Sequence, residues 1–215
     1  CVICYGDTRM KENPDFSLEN ECDGIVAGCD EAGRGPLCGP VVAAAVIFLR
    51  RDIDIPVIIR DSKQMTASQR AAARDWICAN TIWAVASCSP AEIDELNILW
   101  ASMQAMERAV AGLKTTPAIT LVDGNRVPRN LVGRAVVHGD AKSLSIAAAS
   151  IIAKETRDDM MRHLAVQYPQ YGWDKNAGYP TAAHLAALRQ YGINEHYRRS
   201  FGPVKEILNN ETAHH

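Results

Sequence analysis

No apolar run in the chain approaches the roughly 18 uninterrupted residues that a membrane span needs, and the opening stretch CVICYGDTRMKENPD lacks the basic and apolar regions of a secretory leader. A cytoplasmic protein with no membrane partner is expected. Charge of one sign is also missing: 23 Lys and Arg face 25 Asp and Glu, a formal balance of -2. That excludes a protein that grips nucleic acid by bulk charge and leaves room only for a local basic groove. The seven cysteines, at 1, 4, 22, 29, 38, 78 and 88, are odd in number and scattered, so they read as reduced thiols. Cys1 and Cys4 form a CxxC, but no second CxxC or paired His follows to complete a zinc site.

The length of 215 residues, 47% of them apolar, suits one globular domain with a substantial core. Residues 1–23 are mostly polar and without a sustained period, which predicts an extension outside the core. From Gly24 the pattern becomes regular. GIVAGCD, VVAAAVIFL, TIWAVASCS, AITLVDG and GRAVVHGD predict five strands, starting at 24, 41, 81, 118 and 133. Between and after them, TASQRAAARDWICAN, SPAEIDELNI, ILWASMQAMERAVAGL, SLSIAAASIIAKETRDDMMRHLAVQY and AAHLAALRQYG predict helices, two of them opening on Thr or Ser caps. Met103 and Met106 fall on the core face of the third. Strands mixed with helices indicate α/β, with no internal repeat.

Four acids share one feature. Asp30 and Glu31, Asp123, and Asp140 each close an apolar, strand-like run. Functional groups in open α/β sheets gather at strand ends, so three ends can bring four carboxylates together. Neighbouring residues of a regular strand point to opposite faces, which predicts a bend at Glu31 if both acids share a site. Clustered carboxylates repel unless divalent cations neutralise them, and hard oxygen donors select magnesium or manganese. Two such ions activate water and stabilise a leaving oxygen in phosphodiester cleavage. The same four acids are equally compatible with solvated turns.

The glycines of CDEAGRGPLCGP loosely imitate a dinucleotide-binding turn, but the spacing is GxGxxxG, and Pro36 and Pro40 disfavour the helix whose N-terminus would hold a pyrophosphate. A tight turn whose backbone approaches a substrate sugar suits these residues better.

The segments DEAGRGPLCGPVVAAAV at 30–46, VDGN at 122–125, GDAKSLSIAAASIIAKETRD at 139–158 and AGYPTAAHLAALRQYG at 177–192 together resemble bacterial ribonuclease HII, of the type 2 ribonuclease H family. The likeness runs from about Gly24 to Val204, in the same order. It implies a ribonuclease H-like fold: a five-stranded mixed sheet flanked by helices, with a C-terminal helical segment, over 24–208, and a tail at 209–215. It implies an endoribonuclease that cuts the RNA strand of RNA-DNA hybrids and nicks 5′ of single ribonucleotides in duplex DNA, leaving 3′-hydroxyl and 5′-phosphate ends.

By the same resemblance Asp30, Glu31, Asp123 and Asp140 are the ligands of two Mg2+ or Mn2+ ions. Gly33, Arg34 and Gly35 sense the ribose 2′-hydroxyl, the handle that marks RNA. Tyr179 stacks on the following deoxyribose, and Ser62 and Lys63 approach the substrate backbone. Cys38, where the family more often has alanine, and the Cys-containing N-terminal stretch depart from the pattern. Arg157 and Asp158 suit an ion pair as well as a substrate contact. His138 and His184 read as surface or partly packed side chains outside the site, and Arg198, Arg199 and Lys205 as backbone attraction for the substrate. A monomer suffices, and a replication clamp at the tail stays open. Two other classes remain: a non-catalytic module that binds RNA-DNA hybrids, and a nucleotide-cofactor enzyme.

Overall fold

The segment VVAAAVI is buried at every position, because it is an interior strand, paired on both edges, of a sheet covered on both faces. The computed structural model describes residues 13–212, with side chains through 209. Cys1, Cys4 and the terminal His214 and His215 lie outside the described residues. Along the chain come α1 (Ser17–Asn20), β1 (Val26–Ala32), β2 (Val41–Ile47), α2 (Ala67–Asn80), β3 (Ile82–Cys88), α3 (Pro90–Leu96) and α4 (Ile98–Ala111). They are followed by β4 (Ile119–Asp123), β5 (Gly133–Val136), α5 (Leu144–Gln167), α6 (Trp173–Asn176), α7 (Ala182–Tyr191) and α8 (Gly202–Thr212).

The five strands form one mixed sheet in the order β3-β2-β1-β4-β5. β2 pairs antiparallel with β1 and β3, whereas β1, β4 and β5 run parallel. The C-terminal ends of those three parallel strands therefore open on one side of the sheet. Alternation along β2 divides the core: Ala43, Ala45 and Ile47 pack with Met103, Met106 and Val110 of α4, and Ala44 and Val46 with Ile77 of α2 and Ile151 of α5. α5 crosses β1 at Gly28, where a Cβ would lie 2.1 Å from the carbonyl carbon of Ser145. Glycine alone permits this approach.

Helix starts follow the caps in the sequence. Thr66 and Gln69 form a capping box on α2, and Ser89 and Glu92 another on α3. The Gly33–Pro40 segment leads into β2 and not into a helix, so it offers no helix N-terminus for a pyrophosphate. A third cluster, outside the sheet, joins Leu37 and Met161 to Tyr171, Trp173, Leu188 and Tyr197 of the C-terminal segment. All five described cysteines are free thiols. Among the described residues no helix is long and apolar enough to cross a membrane.

Part of the expected extension belongs to the fold. Asp15 bridges to Ser143, and Glu19 is only 2% exposed. Glu19 Oε1 accepts from Ser143 Oγ at 2.6 Å, Ser145 N at 2.9 Å and Ser145 Oγ at 2.5 Å. A carboxylate at the first turn of α5 completes donors that the helix itself leaves open, and its charge opposes the positive end of the helix dipole. These contacts span more than 120 residues and leave no local pattern before Gly24.

Candidate active site

Asp30 lies two residues before the end of β1, just beyond the last registered pair with β4, Cys29 and Val122. Asp123 closes β4 opposite Val136, and Asp140 stands four residues past the end of β5 in the one-turn 3-10 helix Gly139–Ala141. Asp30, Glu31, Asp123 and Asp140 all line one cavity of about 510 Å³. The sheet topology accounts for the convergence, since β1, β4 and β5 are parallel neighbours and end on the same side.

The bend expected at Glu31 is absent. β1 keeps its register with β2 through Glu31–Ala43 and Ala32–Val42. Asp30 pairs with Ala44, which belongs to the α5 layer, and Glu31 with Ala43, which belongs to the α4 layer. Both reach the cavity because it sits at the open end of the sheet, past the β4 pairing, where a long side chain on either face borders it.

The electrostatics are those of crowded acids. Burial, then the charges of Glu31 and Asp123, push the Asp30 carboxyl well above the usual carboxylate range, against a hydrogen bond from Ser150. Burial also raises Glu31, opposed by the Arg34 guanidinium 3.2 Å away. Asp140 is raised by burial and then by Asp123 and Asp61, with Lys63 acting the other way. Asp123 Oδ1 accepts from Gly139 N at 2.7 Å, which ties the end of β4 to the Asp140 turn.

As the side chains stand, no three His, Cys, Asp or Glu groups among the described residues converge on a single point as a metal cage. Glu31 is turned toward Arg34 and Asp30 Oδ1 accepts from Glu31 N at 2.7 Å. The donor chemistry nevertheless fits hard cations: four carboxylates, no sulfur or imidazole on the cavity wall, and mutual repulsion that a divalent cation relieves.

Gly33, Arg34 and Gly35 line the same cavity as these acids. Gly33 has φ +94°, and a Cβ there would lie 2.1 Å from Arg157 Nε, so the turn requires glycine twice over. Tyr179 also lines the cavity and is 45% exposed, with its ring edge 3.4 Å from where a Cβ on Gly35 would stand. It is a presented ring and not a core tyrosine. Ser62 is buried, with its Oγ 3.1 Å from Ser150 Oγ, and Lys63 lines the cavity from the one-turn helix Ser62–Gln64.

Ser150 and Lys154 also line the cavity and escaped the sequence reading. Their spacing, with Arg157, is i, i+4 and i+7 on α5, one helix face whose polar side chains interrupt an alanine-rich run. Lys154 Nζ lies 2.6 Å from Asp158, so the ion pair runs to Asp158 from Lys154 and not from Arg157. Arg198, expected to attract the substrate backbone, is 0% exposed, as is His184. Arg199 uses its backbone N–H on Asp94 Oδ2 at 2.8 Å.

A family model described as ribonuclease HII matches residues 27–203. A ribonuclease HII of Magnetococcus marinus is 53% identical over 213 residues, covering 93% of this chain and 99% of that protein. Among solved structures, the ribonuclease H2 of Pyrococcus horikoshii superposes with a TM-score of 0.73 at 28% identity, over 87% of this chain and 98% of that one. Ribonuclease HII of Archaeoglobus fulgidus, solved in complex with PCNA, gives 0.72 at 26% identity over 83% and 96%.

Proposed function

Since this chain belongs to the ribonuclease HII family and is therefore an endoribonuclease of RNA-DNA hybrids, we propose that its carboxylate cavity is the cutting centre and the glycine turn above it the sugar reader. One observation carries the reading: Asp30, Glu31, Asp123 and Asp140 line a single cavity together with Gly33, Arg34, Gly35 and Tyr179.

Asp30, Glu31, Asp123 and Asp140 are the residues that would hold two magnesium or manganese ions. When bound there, such cations would supply the Lewis acidity that activates an attacking water and neutralises the departing 3′-oxygen. The carboxylates place that chemistry on the scissile phosphate. Water adds to phosphorus, the bond to the 3′-oxygen breaks, and the products are a 3′-hydroxyl and a 5′-phosphate. The ribose 2′-hydroxyl is left for recognition. Glu31, paired with Arg34 at 3.2 Å, would have to give up that pair to hold a cation, which would leave the guanidinium to the substrate backbone. Backbone groups of the Gly33–Gly35 turn meet the 2′-hydroxyl. The Tyr179 ring packs on the next sugar, where a second 2′-hydroxyl is not accommodated, so the preferred nick lies 5′ of a ribonucleotide followed by DNA. Lys63 on the cavity wall attracts the neighbouring phosphates, and Ser62 holds that wall through Ser150. A sliding clamp is the protein partner of this reading, by analogy with the Archaeoglobus fulgidus relative, whose structure includes PCNA.

The test is end chemistry on a labelled RNA-DNA hybrid. Fragments should carry 3′-hydroxyl and 5′-phosphate groups only. A 2′,3′-cyclic phosphate would show that the 2′-hydroxyl attacks and would overturn the mechanism.

A further inference from the structure

Arg157 and Arg198 are 2% and 0% exposed, and their side-chain hydrogen bonds run to main-chain carbonyls and not to carboxylates. Arg157 donates from Nε to Pro40 O at 3.0 Å, from Nη1 to Ala177 O at 3.0 Å and from Nη2 to Cys38 O at 3.1 Å. Arg198 donates from Nε to Gly39 O at 3.0 Å, from Nη1 to Arg34 O at 3.0 Å and from Nη2 to Gly33 O at 2.6 Å. The two side chains thus fix carbonyls of the Gly33–Pro40 segment and of the loop that carries Tyr179. Main-chain bonds complete the frame, from Leu37 N to Gly178 O at 2.8 Å, Arg198 N to Leu37 O at 2.9 Å and Gly39 N to His196 O at 2.8 Å.

His184 holds the main chain at Tyr179. Its Nε2 meets Trp173 Nε1 at 3.1 Å and the Tyr197 hydroxyl at 2.8 Å. An indole nitrogen only donates, so Nε2 is the acceptor and the proton sits on Nδ1, which donates to Tyr179 O at 2.8 Å. The buried imidazole is neutral and locked in one tautomer.

Taking two guanidinium charges out of water is costly, and apolar side chains would tie loops together at less expense. What arginine adds is a planar fork that sets several carbonyls at once. We infer that Arg157 and Arg198, with His184, are positioning residues that fix the spacing between the Gly33–Gly35 turn and the Tyr179 ring before substrate arrives, and thereby set how sharply the enzyme separates a ribonucleotide-to-DNA junction from continuous hybrid. The inference rests on the reading of Gly33, Arg34, Gly35 and Tyr179 proposed above.

A merely structural arginine would lower all activities together; a positioning one splits them. Arg198→Lys keeps the charge, but an ammonium cannot span three carbonyls. Its kcat/KM should fall about 100-fold on a duplex with one embedded ribonucleotide and about tenfold on continuous hybrid. Equal falls on both substrates would overturn the inference. If the variant does not melt as a folded protein, hydrogen exchange on the wild type decides. The amides of Leu37, Gly39 and Arg198 should exchange as slowly as those of β2 in the free protein, and fast exchange that slows only when the junction duplex is added would refute a preformed frame. Arg34→Ala and Tyr179→Ala separate the two levels: if neither lowers the junction preference of the wild type, the sugar-reading proposal fails, and the frame is judged on exchange alone.

Discussion

Replacing Asp30 by Asn should make the metal-free protein more stable while removing its activity. Asp30 is 6% exposed, and its carboxyl is pushed up by burial and by Glu31 and Asp123. The folded protein therefore binds this proton more tightly than the unfolded chain does. The stability it contributes is fully present below the ordinary carboxylate value near 3.8 and is lost as pH rises through the folded value, so at neutral pH the charged group weighs against the fold. Asn keeps the shape and an oxygen able to accept from Glu31 N, as Asp30 Oδ1 does at 2.7 Å, but carries no charge. Relieving such functional strain is worth about 1–2 kcal/mol, a rise of about 2–8 °C in Tm for a domain of this size. Thermal melts in chelator at about pH 7.5 should show that rise, and melts near pH 4 should show little of it. Added magnesium should stabilise the wild type more than the variant, because only the wild type keeps all four carboxylates of the cavity. Turnover should fall by about 10³-fold or more. A variant less stable than wild type in chelator at neutral pH, or one that still cuts hybrid at the wild-type rate, would refute the reasoning.

Glu19→Ala removes the acceptor of Ser143 Oγ, Ser145 N and Ser145 Oγ and should cost about 3 kcal/mol. Urea unfolding reads this directly, and a loss below about 1 kcal/mol would mean that water replaces the carboxylate. Cation binding competes with protons on the raised Asp30, Glu31 and Asp140 carboxyls. The acid limb of the kcat/KM profile should accordingly move to lower pH as magnesium is raised, and a limb that ignores magnesium would assign it to another group.

Much of the sheet was legible because the evidence for it is local. VVAAAVI carries enough apolar and β-branched residues to mark a buried strand, and Thr66 and Ser89 announce helix starts. The four acids were legible as strand ends, and topology then brings them to one cavity. The bend at Glu31 was expected from alternation alone, which takes no account of β1 outrunning β4. Long-range polar contacts were hidden for a related reason. Glu19, Arg157, His184 and Arg198 are charged or titratable types normally found at surfaces, and their partners lie up to 165 residues away or on turns whose carbonyls no side-chain pattern reports. Ser150 and Lys154 left a faint helical signal on α5, overlooked because the alanines around them read as core.

The most direct measurement is cleavage of a labelled DNA duplex carrying one ribonucleotide, with magnesium, with manganese and with chelator. A nick immediately 5′ of the ribonucleotide, in either metal and absent in chelator, is the expected result. Cutting that persists in chelator, or binding of the duplex without a nick in both metals, would contradict the account of the carboxylate cavity.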